Sequence, residues 1–399
     1  MKKIFVINAG SSSLKYQLFD MPGSLPICTG QIEKIGGNAE LKHTVRLPEN
    51  RETKKSTSVA DHREAMDQIL LMLTDKTTGV IESADDIDIV GHRIVHGGED
   101  FVEATIINEA AKKKIGSLFS LAPLHNPVNY TCLEIAEQFF SRAVQIAVFD
   151  TAFHQSMPEY AYRYAIPEDF YRKEHIRVYG FHGTSHKYVT QEAAKYLGRT
   201  PAKMISLHLG NGCSITAVRN GRSVDTSMGF GPLTGLIMGT RSGDIDPSVI
   251  FHLAAVSGMD MDEISDLLNK QSGLLALAGS NDLREIRKQI NSGNKLAELA
   301  VTMYIYRIKK YIGAYAAAMN GVDVIVFTAG VGENDKEIRK LVCDNMEFLG
   351  LELDADTNEN TRPGINKINR PGSRVDVLVV PTNEELEIAR QCFELVDAN

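Results

Sequence analysis

Residues 4–19 read IFVINAGSSSLKYQLF, and residues 205–218 read ISLHLGNGCSITAV. In each stretch an apolar run leads into a short run of small and polar residues and out into a second apolar run. This pattern predicts a strand, a tight turn and a second strand. The two stretches align without a gap, which places Ser13 opposite Ser214. The sequence therefore predicts one kind of hairpin twice, near the start of the chain and near its middle.

The rest of the chain extends this repetition. A third strand is predicted after each hairpin, over Ile27–Ile32 and over Arg222–Val224, so two similar halves suggest a duplicated domain with a cleft between the copies. Chance is the alternative, because strand–turn–strand is a common arrangement. Elsewhere apolar runs alternate with amphipathic segments, which favours an α/β fold with helices covering the sheets. The further predicted strands are Ile87–Val90, Gln145–Phe149, Val322–Phe327 and Val375–Val380, and the predicted helices are His62–Thr74, Asn108–Leu121, Val128–Phe140, Ser185–Leu197, Asp260–Asn269, Leu296–Met319 and Glu384–Val396.

Length and composition limit the class of protein. The chain has 399 residues, and because single cores stop growing at about 250–300 residues, two domains are expected. Apolar residues make up 43% and charged residues 24%, which is typical of a globular protein. The net charge of −8 disfavours nucleic acid or an anionic membrane as a partner, since proteins that bind them present basic surfaces. Anionic substrates would require cationic side chains concentrated in one place.

The cysteines and the N-terminus indicate the compartment. The five cysteines are far apart and show no CxxC spacing, which predicts reduced thiols with neither disulfides nor a zinc site. The apolar run after Lys2 and Lys3 is shorter than the ~7–15 residues of a signal peptide, and no stretch reaches the ~18 apolar residues of a membrane span. We therefore expect a cytoplasmic protein.

The two hairpin turns carry residues that suit a phosphate group. In Asn8–Lys15, glycine and successive backbone N–H groups can cradle phosphate oxygens together with hydroxyls such as that of Ser13, and Lys15 adds a positive charge. The segment is not a Walker loop, because the GxxxxGK[ST] spacing is absent. Residues 208–212, HLGNG, form the second turn. Both are also consistent with ordinary polar hairpins, since Asn-Gly is a hairpin signal by itself.

A cationic and an anionic candidate follow two predicted strands of the first half. Residues 91–98 read GHRIVHGG, and Arg93 in this segment can meet an anion with two hydrogen bonds or form an ordinary ion pair. His92 and His96 have the spacing of zinc ligands on a helix, but the flanking glycines argue against a helix. Asp150 ends a strand, where a carboxylate can face a ligand crevice and bind Mg²⁺ or simply cap a turn.

Two further cationic candidates lie in the second half. His182 precedes a predicted helix, at whose N-terminus an anion would be stabilised, and the alternative is a buried, hydrogen-bonded histidine. Residues 228–247 are rich in glycine and show little regular pattern, and loops of this length in a compact domain are often functional. Arg241 lies in this loop, which we expect to be flexible enough to close on a ligand. Pairing with the neighbouring Asp244 or Asp246 is the alternative.

Two segments near the C-terminus complete the set of motifs. Residues 328–334, TAGVGEN, follow a predicted buried strand and suit the close approach of a flat adenosine, although one GxG is a weak signal. Residues 381–385, PTNEE, join a strand to a helix. Thr382 and Glu385 fit a capping box, which would explain Glu384 without any functional role.

Taken in order, the motifs are specific. The series NAGSSSLK, GHRIVHGG, PLHNP, FDTAFH, GFHGTSH, HLGNG, GTRSGDIDP, FTAGVGEN and PTNEE closely resembles the acetate kinase family across essentially the whole chain. That family belongs to the sugar kinase, Hsc70 and actin superfamily. The resemblance implies a duplicated, ribonuclease H-like two-domain α/β fold with an interdomain active-site cleft. It also implies an N-terminal domain over 1–150, completed by the helix 384–399, and a nucleotide-binding domain over 151–383.

The resemblance further implies reversible, Mg²⁺-dependent phosphoryl transfer from ATP to acetate, with Mn²⁺ as an alternative metal. The residues implied to stabilise the transferring group are Arg93, Arg241 and His182. Those implied to hold or orient the metal–phosphate assembly are Asn8, Asp150 and Glu384. Those implied at the ATP phosphates are His208, Asn211 and Gly212, and those beside adenosine are Gly330 and Val331. The apolar pocket for the acceptor's methyl group would be Val95, Leu124, Phe181 and Pro232, with His125 beside it.

Elementary chemistry agrees with a carboxylate acceptor. A carboxylic acid with a pKa of about 4–5 is already ionised at neutral pH, so no general base is required and Asp150 is available for Mg²⁺. Residues 231–235 read GPLTG where relatives often have TPLEG, and this departure adjoins the acceptor pocket. One methylene is worth only ~1–3 kcal/mol in such a pocket, so propionate or another short-chain acid is the alternative acceptor.

Two different kinds of protein are compatible with parts of the same pattern. A pyrophosphate-dependent relative is disfavoured by the intact FTAGVGEN motif. An ATP-driven chaperone or filament protein of the same superfamily is the alternative from a different class. By resemblance we also expect a homodimer, to which the helix Leu296–Met319, with Ala316–Ala318 and its tyrosines, would contribute.

Overall fold

The computed structural model describes residues 1–46, 50–200 and 202–397. The contacts between residues divide the chain into two compact units. The first unit contains Met1–Ala152 and the segment that begins at Asn383, and the second contains Phe153–Thr382. The functional roles predicted for two domains are not tested by this division.

The structure is α/β, with these elements in chain order. The strands are β1 Lys2–Gly10, β2 Ser13–Met21, β3 Pro26–Glu33, β4 Gly37–Val45, β5 Arg51–Val59, β6 Ile89–Ile94, β7 Thr105–Ile106, β8 Val144–Phe149, β9 Lys203–Leu209, β10 Cys213–Arg219, β11 Arg222–Thr226, β12 Val324–Thr328, β13 Asn366–Lys367 and β14 Asp376–Val379. The helices are α1 His62–Leu73, α2 Glu109–Ser117, α3 Asn126–Phe139, α4 Glu159–Tyr162, α5 Glu168–Glu174, α6 Gly183–Leu197, α7 Pro247–Val256, α8 Met261–Lys270, α9 Gly273–Ala278, α10 Leu283–Asn291, α11 Lys295–Met319, α12 Ala329–Asn334, α13 Lys336–Cys343, α14 Ala355–Glu359 and α15 Glu384–Asp397. Short 3₁₀ turns cover Ala84–Asp86, Ala152–Ser156 and Glu347–Leu349. None of the helices within the described ranges is long and apolar enough to cross a membrane.

The first unit is built on one mixed sheet. Among the described residues it has eight strands in the order β5-β4-β3-β2-β1-β6-β8-β7. β1 to β5 form an antiparallel meander, whereas β6 pairs in parallel with β1 and β8 in parallel with β6. Alternate residues of β2, such as Leu14 and Leu18, are fully buried, as expected for a strand with one face on a core. The predicted hairpin and the strands that follow it are confirmed.

Helix α15 covers part of this sheet. It packs on β1, β2, β6 and β8 and buries Leu386, Ile388 and Cys392. At Gly91 in β6 a Cβ atom would lie 2.9 Å from both Cys392 Sγ and Ile388 Cγ2, so only glycine allows the helix to approach this closely. Because helices lie on both of its faces, the Ile4–Ile7 run of β1 is buried continuously rather than alternately.

The second unit repeats this arrangement. Its sheet, within the described residues, has six strands in the order β11-β10-β9-β12-β14-β13. β9, β10 and β11 are antiparallel, β12 and β14 continue in parallel from β9, and β13 is an antiparallel edge strand on β14. These six strands correspond one to one, in order and direction, to β3-β2-β1-β6-β8-β7 of the first unit. The predicted α/β fold with a duplicated domain is confirmed.

The two hairpins differ in detail. In the first, two residues separate the paired Gly10 and Ser13, whereas in the second three residues separate the paired Leu209 and Cys213. The prediction that the two segments align without a gap is therefore wrong, because hairpins with loops of unequal length cannot match along both strands. The extra residue belongs to the longer turn Gly210–Gly212.

Candidate active site

Four residues predicted at the metal and the transferring group come together in the first unit. Asn8 lies near the end of β1, Arg93 near the end of β6, and Asp150 directly after β8. These strands are parallel neighbours, so their carboxyl ends meet at one edge of the sheet. Glu384 begins α15 at the same place, with its Oε2 atom 3.8 Å from Arg93 Nε.

Arg93 holds this cluster together. Its Nε donates to Asp150 Oδ1 at 3.1 Å and Oδ2 at 3.0 Å, and its Nη2 donates to Asp150 Oδ2 at 2.6 Å. Its Nη1 donates to Asn8 Oδ1 at 3.1 Å. Burial tends to lower the pKa of Arg93, but the carboxylates of Asp150 and Glu384 outweigh it and raise that pKa. The guanidinium is thus a permanent positive charge with N–H groups left over for an anion.

Glu384 is the unusual member of the cluster. Burial, opposed by Arg93 and reinforced by Asp150, raises the pKa of Glu384 to about 7. Its Oε2 atom is buried and has no hydrogen-bond partner. Buried carboxylate oxygens normally have partners, so this oxygen is suited to a ligand. The positive charge of Lys15 also lowers the pKa of Glu384.

The PLHNP motif supports the cluster through two residues that were not predicted as functional. Asn126 and Asn129 are buried on one face of α3. Asn126 accepts from the backbone N–H of His96 at 3.0 Å and donates to the His96 carbonyl at 2.9 Å. Asn129 accepts from the N–H of Val95 at 3.2 Å and donates to the carbonyl of Ala9 at 2.8 Å. These side chains fix the backbone after β6 against the backbone of the first turn.

In the second unit the predicted histidines stack on each other. His182 precedes α6 with a φ of 55°, and its ring lies 4.1 Å from that of His208, centroid to centroid. His182 Nδ1 is hydrogen bonded to Ser214 Oγ at 2.9 Å, and His208 Nδ1 to Ser185 Oγ at 2.8 Å. Each ring is therefore oriented through Nδ1 by a serine, as metal- and phosphate-facing histidines commonly are by an outer group.

A buried histidine lies behind this pair. His186 bridges Ser214 Oγ, at 2.7 Å from its Nε2, and Ser206 Oγ, at 2.9 Å from its Nδ1. Burial, and then the neighbouring His154 and His208, hold the pKa of His186 well below its usual value. The ring is neutral, so it donates at one nitrogen and accepts at the other. It thereby orients the serine that contacts His182.

Arg241 and His182 lie close to the second turn. A Cβ atom at Gly212 would lie 3.6 Å from His182 Cε1 and 3.8 Å from Arg241 Nη1. The Arg241 side chain is not paired with a neighbouring aspartate: its Nη1 donates to the Pro232 carbonyl at 3.1 Å. Burial lowers the pKa of Arg241. Two groups predicted to stabilise the transferring phosphoryl group therefore both lie close to Gly212 in the predicted phosphate turn.

The loop that carries Arg241 is anchored, which the prediction of a flexible loop did not anticipate. Leu236 and Met238 are fully buried, and the backbone N–H of Gly239 donates to the carbonyl of Asn211 at 2.9 Å. A Cβ atom at Gly239 would overlap with Asn211 Oδ1. The loop is irregular, but its backbone is tied to the phosphate turn.

The same turn borders a cavity of about 630 Å³. Asn211, Gly330 and Val331, which the resemblance assigns to the nucleotide, line this cavity. A volume of roughly 300–1,000 Å³ is typical of small-molecule sites. The cavity is also lined by Gly210, Gly239 and Asn334, which belong to the HLGNG, GTRSGDIDP and FTAGVGEN motifs. Further lining residues that no sequence motif indicated are Leu274, Asn281, Asp282, Leu283, Arg284, Arg287, Tyr304 and Asp335.

A family model described as the acetokinase family matches residues 3–390. The chain belongs to the acetokinase family. The family predicted from the nine motifs is thus confirmed, and the matched residues include both the Arg93 cluster and the turn beside His182 and Arg241.

Individual members of the acetokinase family resemble the chain over its whole length. A protein named acetate kinase from Flavobacterium johnsoniae is 49% identical over 395 residues, covering 99% of this chain and all of the relative. The crystal structure of Porphyromonas gingivalis acetate kinase matches with a TM-score of 0.93 at 46% identity, covering 99% of this chain and 100% of that one. A propionate kinase structure from Francisella tularensis matches with a TM-score of 0.92 at 40% identity and the same coverage. The fold of these solved structures is the fold of this chain.

The residues predicted at the acceptor are divided between the units. Val95 and Leu124 belong to the first unit, and Phe181 and Pro232 belong to the second. Val95 is partly buried, and 64% of Leu124 is exposed. Phe181 is buried and Pro232 partly so. His125 occupies the N-cap position of α3, next to Leu124. The acceptor pocket stays a prediction.

The capping box predicted at the start of α15 is wrong. Asn383 provides the cap, since its Oδ1 accepts from the N–H of Leu386 at 3.0 Å. The hydroxyl of Thr382 is engaged elsewhere, at 2.8 Å from Ser185 Oγ, and its N–H donates to Glu333 Oε1 at 3.0 Å. Asparagine and threonine are both good caps, so the local sequence does not decide between them.

Proposed function

We propose that the chain catalyses reversible transfer of the γ-phosphoryl group of ATP to acetate, giving acetyl phosphate and ADP. The observation that carries this proposal is the placement of His182 and Arg241 close to Gly212, at a turn that borders a nucleotide-sized cavity. Membership in the acetokinase family and 49% identity to a protein named acetate kinase support the same activity. The acceptor is a carboxyl group.

The reaction is a direct displacement. A carboxylate oxygen of acetate attacks the γ-phosphorus, a new O–P bond forms, and the bond from that phosphorus to the β,γ-bridging oxygen breaks with its electrons leaving on ADP. Charge develops on the three equatorial oxygens, and positioned cations stabilise it. Arg241 and His182 supply positive charge and N–H donors from the second unit, and Arg93 neutralises the approaching anion. That all three act on one phosphoryl group, in a cleft that closes to exclude water, is part of the proposal.

A divalent metal fits the first cluster. Glu384 has a buried oxygen without a partner, and the oxygens of Asn8 and Asp150 lie beside Arg93 in the same cluster. Such hard oxygen donors suit Mg²⁺ or Mn²⁺, which usually take one or two carboxylates together with phosphate oxygens. Within the described residues no group of three or more His, Cys, Asp or Glu side chains is arranged to hold a metal by itself. We therefore assign Asn8, Asp150 and Glu384 to the metal, which when bound would neutralise phosphate charge.

The nucleotide would occupy the cavity of the second unit. Gly330 and Val331 would lie against adenosine, and His208, Asn211 and Gly212 would meet the phosphates. Ser13 and Lys15 are assigned to the phosphates from the first unit, since Lys15 acts on the pKa of Glu384 and Ser13 flanks the first turn. Asp282 and Arg284, which line the cavity, add polar groups for the ribose or the phosphates.

Propionate is the second candidate acceptor. A solved propionate kinase is 40% identical to this chain, with a TM-score of 0.92, so the fold accommodates a longer acid. The discrimination between acetate and propionate would depend on the apolar side chains assigned to the acceptor pocket, which are Val95, Leu124, Phe181 and Pro232. One methylene in an apolar pocket changes kcat/KM by roughly 10- to 200-fold, which an assay resolves easily.

One experiment tests the activity and the competing functions together. The purified chain is incubated with ATP and acetate, propionate or butyrate, with and without Mg²⁺, and acyl phosphate is trapped with hydroxylamine. We expect acyl hydroxamate only when Mg²⁺ is present, and the highest kcat/KM with acetate. A higher kcat/KM with propionate would transfer the assignment to that acid. ATP hydrolysis without any acyl phosphate would contradict the proposal and favour an ATPase of the chaperone or filament class.

We also propose that the chain forms a homodimer in the cytoplasm. No residue of the apolar helix α7 is buried, and Phe251 and Val256 are each 69% exposed. A second copy offers the same apolar face, as a two-fold interface requires. Helix α11 also exposes Leu296 and Tyr306 in its first half. In the predicted Ala316–Ala318 patch, Ala316 is buried whereas Ala317 and Ala318 are exposed. All five cysteines are free thiols, as expected in a reducing compartment. Light scattering of the wild type and of Phe251→Asp tests the dimer, since a charge on this face should release monomers.

A further inference from the structure

The loop that carries Arg241 is closed at its base by one side chain. Asp244 Oδ1 accepts from the N–H of Gly235 at 2.8 Å, and the N–H of Asp244 donates back to the Gly235 carbonyl at 3.0 Å. Residues 235–244 thus form a ring whose ends are joined by two hydrogen bonds. Gly235, with a φ of 98°, and Gly243, with a φ of 69°, take backbone conformations that favour glycine. Arg241 lies within this ring, three residues before Asp244.

The tip of this ring is held by main-chain contacts. The Arg241 carbonyl accepts from the N–H of Met238 at 3.1 Å, and the Met238 carbonyl accepts from the N–H of Leu274 at 2.9 Å. Gly239 is tied to Asn211 in the phosphate turn by its own N–H. These contacts set the position of the tip relative to the nucleotide cavity through backbone groups, and none of them involves Gly235 or Asp244.

Helix α11 anchors the base. Tyr311 Oη donates to Asp244 Oδ2 at 2.8 Å. Arg307 Nη1 donates to the Gly235 carbonyl at 3.0 Å and to the Asp244 carbonyl at 3.3 Å, and lies 3.6 Å from Asp244 Oδ2. Both oxygens of the Asp244 carboxylate are thereby engaged, one within the ring and one by the helix. Asp244, which the sequence suggested as a partner of Arg241, is instead hydrogen bonded to Gly235 and to Tyr311 of helix α11.

We infer that Asp244 and Tyr311, with Arg307, are positioning residues for Arg241 in phosphoryl transfer. The inference rests on the proposed function, in which Arg241 stabilises the transition state. They touch neither the substrate nor the reacting atoms; they hold the ring so that the guanidinium stands beside Gly212 and His182. Because positioning errors of a fraction of an ångström weaken transition-state contacts most, loss of the anchor lowers kcat more than it raises KM.

The first variant is Tyr311→Phe, which removes only the hydroxyl that donates to Asp244. We expect kcat to fall about 5- to 10-fold, with KM values for ATP and acetate changed less than about 2-fold, consistent with the loss of one typical intramolecular hydrogen bond. Asp244→Asn keeps the oxygen that accepts from the N–H of Gly235 and replaces the oxygen that accepts from Tyr311 with an NH₂ group. We expect it to lower kcat to a similar extent. Tyr160→Phe is the matched control, because 88% of Tyr160 is exposed, and it should leave kcat unchanged.

A double-mutant cycle separates positioning from general stability. In the Arg241→Ala background, where no guanidinium remains to be positioned, Tyr311→Phe should change kcat by less than about 2-fold. An equal fall of kcat in both backgrounds, or no fall in the wild-type background, would overturn the inference. Arg241→Lys serves as the second background, in which the fall should be intermediate. If the wild-type chain forms no acyl phosphate at all, the proposed function fails instead, and that result is distinct from either outcome of the cycle.

Discussion

Replacing Asp150 by asparagine tests how the first unit holds its buried ion pair. Asp150 is 2% exposed and accepts three contacts from Arg93, whose side chain is 21% exposed. The substitution keeps the shape of the side chain and removes its charge. Arg93 then retains Asn8 and, at 3.8 Å, the carboxylate of Glu384 as neighbours.

The expected cost follows from these contacts. Breaking a buried ion pair by removing one partner costs about 3–5 kcal/mol. Two features of the cluster reduce this figure. Arg93 is partly exposed, and Asp150 is one of the groups that raise the pKa of Glu384, so its removal lets Glu384 ionise more readily and take over part of the pairing. We therefore expect the first unit to lose about 2–3 kcal/mol of unfolding free energy. At about 2–4 °C per kcal/mol, the melting temperature should fall by about 4–12 °C.

The assay is thermal unfolding followed by circular dichroism at neutral pH without nucleotide or metal. Asp100→Asn is the matched control, because Asp100 pairs with Lys114 at 2.8 Å but both side chains are about half exposed. Such a surface pair contributes about 0–1 kcal/mol, so the control should shift little. A shift for Asp150→Asn no larger than the shift for the control would refute the reasoning that the Arg93 pair stabilises this unit.

Three further predictions concern the second unit. Arg241→Ala should lower kcat about 100- to 1,000-fold with little change in KM. Arg241→Lys should retain only part of the wild-type kcat, because lysine lacks the planar guanidinium fork. Steady-state kinetics that show an unchanged kcat for Arg241→Ala would contradict the prediction. Gly239→Ala should raise KM for ATP about 10-fold, since its methyl group overlaps with Asn211 Oδ1, whereas Gly116→Ala, with open space around it, should be neutral. Burial raises the pKa of Asp225 to about 6, so the ionised form is disfavoured in the folded chain, and this residue's contribution to stability is lost as pH rises from about 4 to about 6. The melting temperature of Asp225→Asn relative to the wild type should therefore increase over that range; a constant difference would contradict the prediction.

Hydrophobic pattern was enough to predict the elements that carry the site. β1, β8 and β12 are short apolar runs buried on both faces, and such runs stand out in any sequence. The polar residues that follow them can then be placed at one edge of a parallel sheet. For this reason the sequence places Asn8, Arg93 and Asp150 at strand ends, where the structure brings them together.

Two strands that were not predicted have sequences without such a pattern. β4 and β5 form a hairpin that was not predicted, and β5, RETKKSTSV, is exposed along nearly its whole length. An edge strand with charged residues on both sides has no apolar periodicity, and charged edge strands are a usual protection against aggregation. Its pairing depends on β4 rather than on its own composition.

The outer contacts of the site were also beyond the sequence. Asn126 and Ser185 are ordinary polar residues of two helices until the fold brings His96 and His208 against them. Their roles depend on contacts between distant parts of the chain, for which a single sequence contains no local signal. The opposite case is Asp244, for which a local signal was misleading. It lies three residues from Arg241 in sequence, which suggested an ion pair, but in the structure its carboxylate contacts Gly235 and Tyr311 instead.

The route of the chain has a consequence for biosynthesis. β1, β2, β6 and β8 leave the ribosome early, but α15, which shields them, follows only after the whole of Phe153–Thr382 has been translated. At about 5–20 residues per second this delay lasts roughly 10–50 s. Throughout that time the face of the sheet around Gly91, which α15 covers in the folded unit, stays exposed to solvent. The second unit is one continuous segment, so it can fold without a later part of the chain. The unit whose strands are synthesised first therefore completes its own packing only after Phe153–Thr382 has been translated.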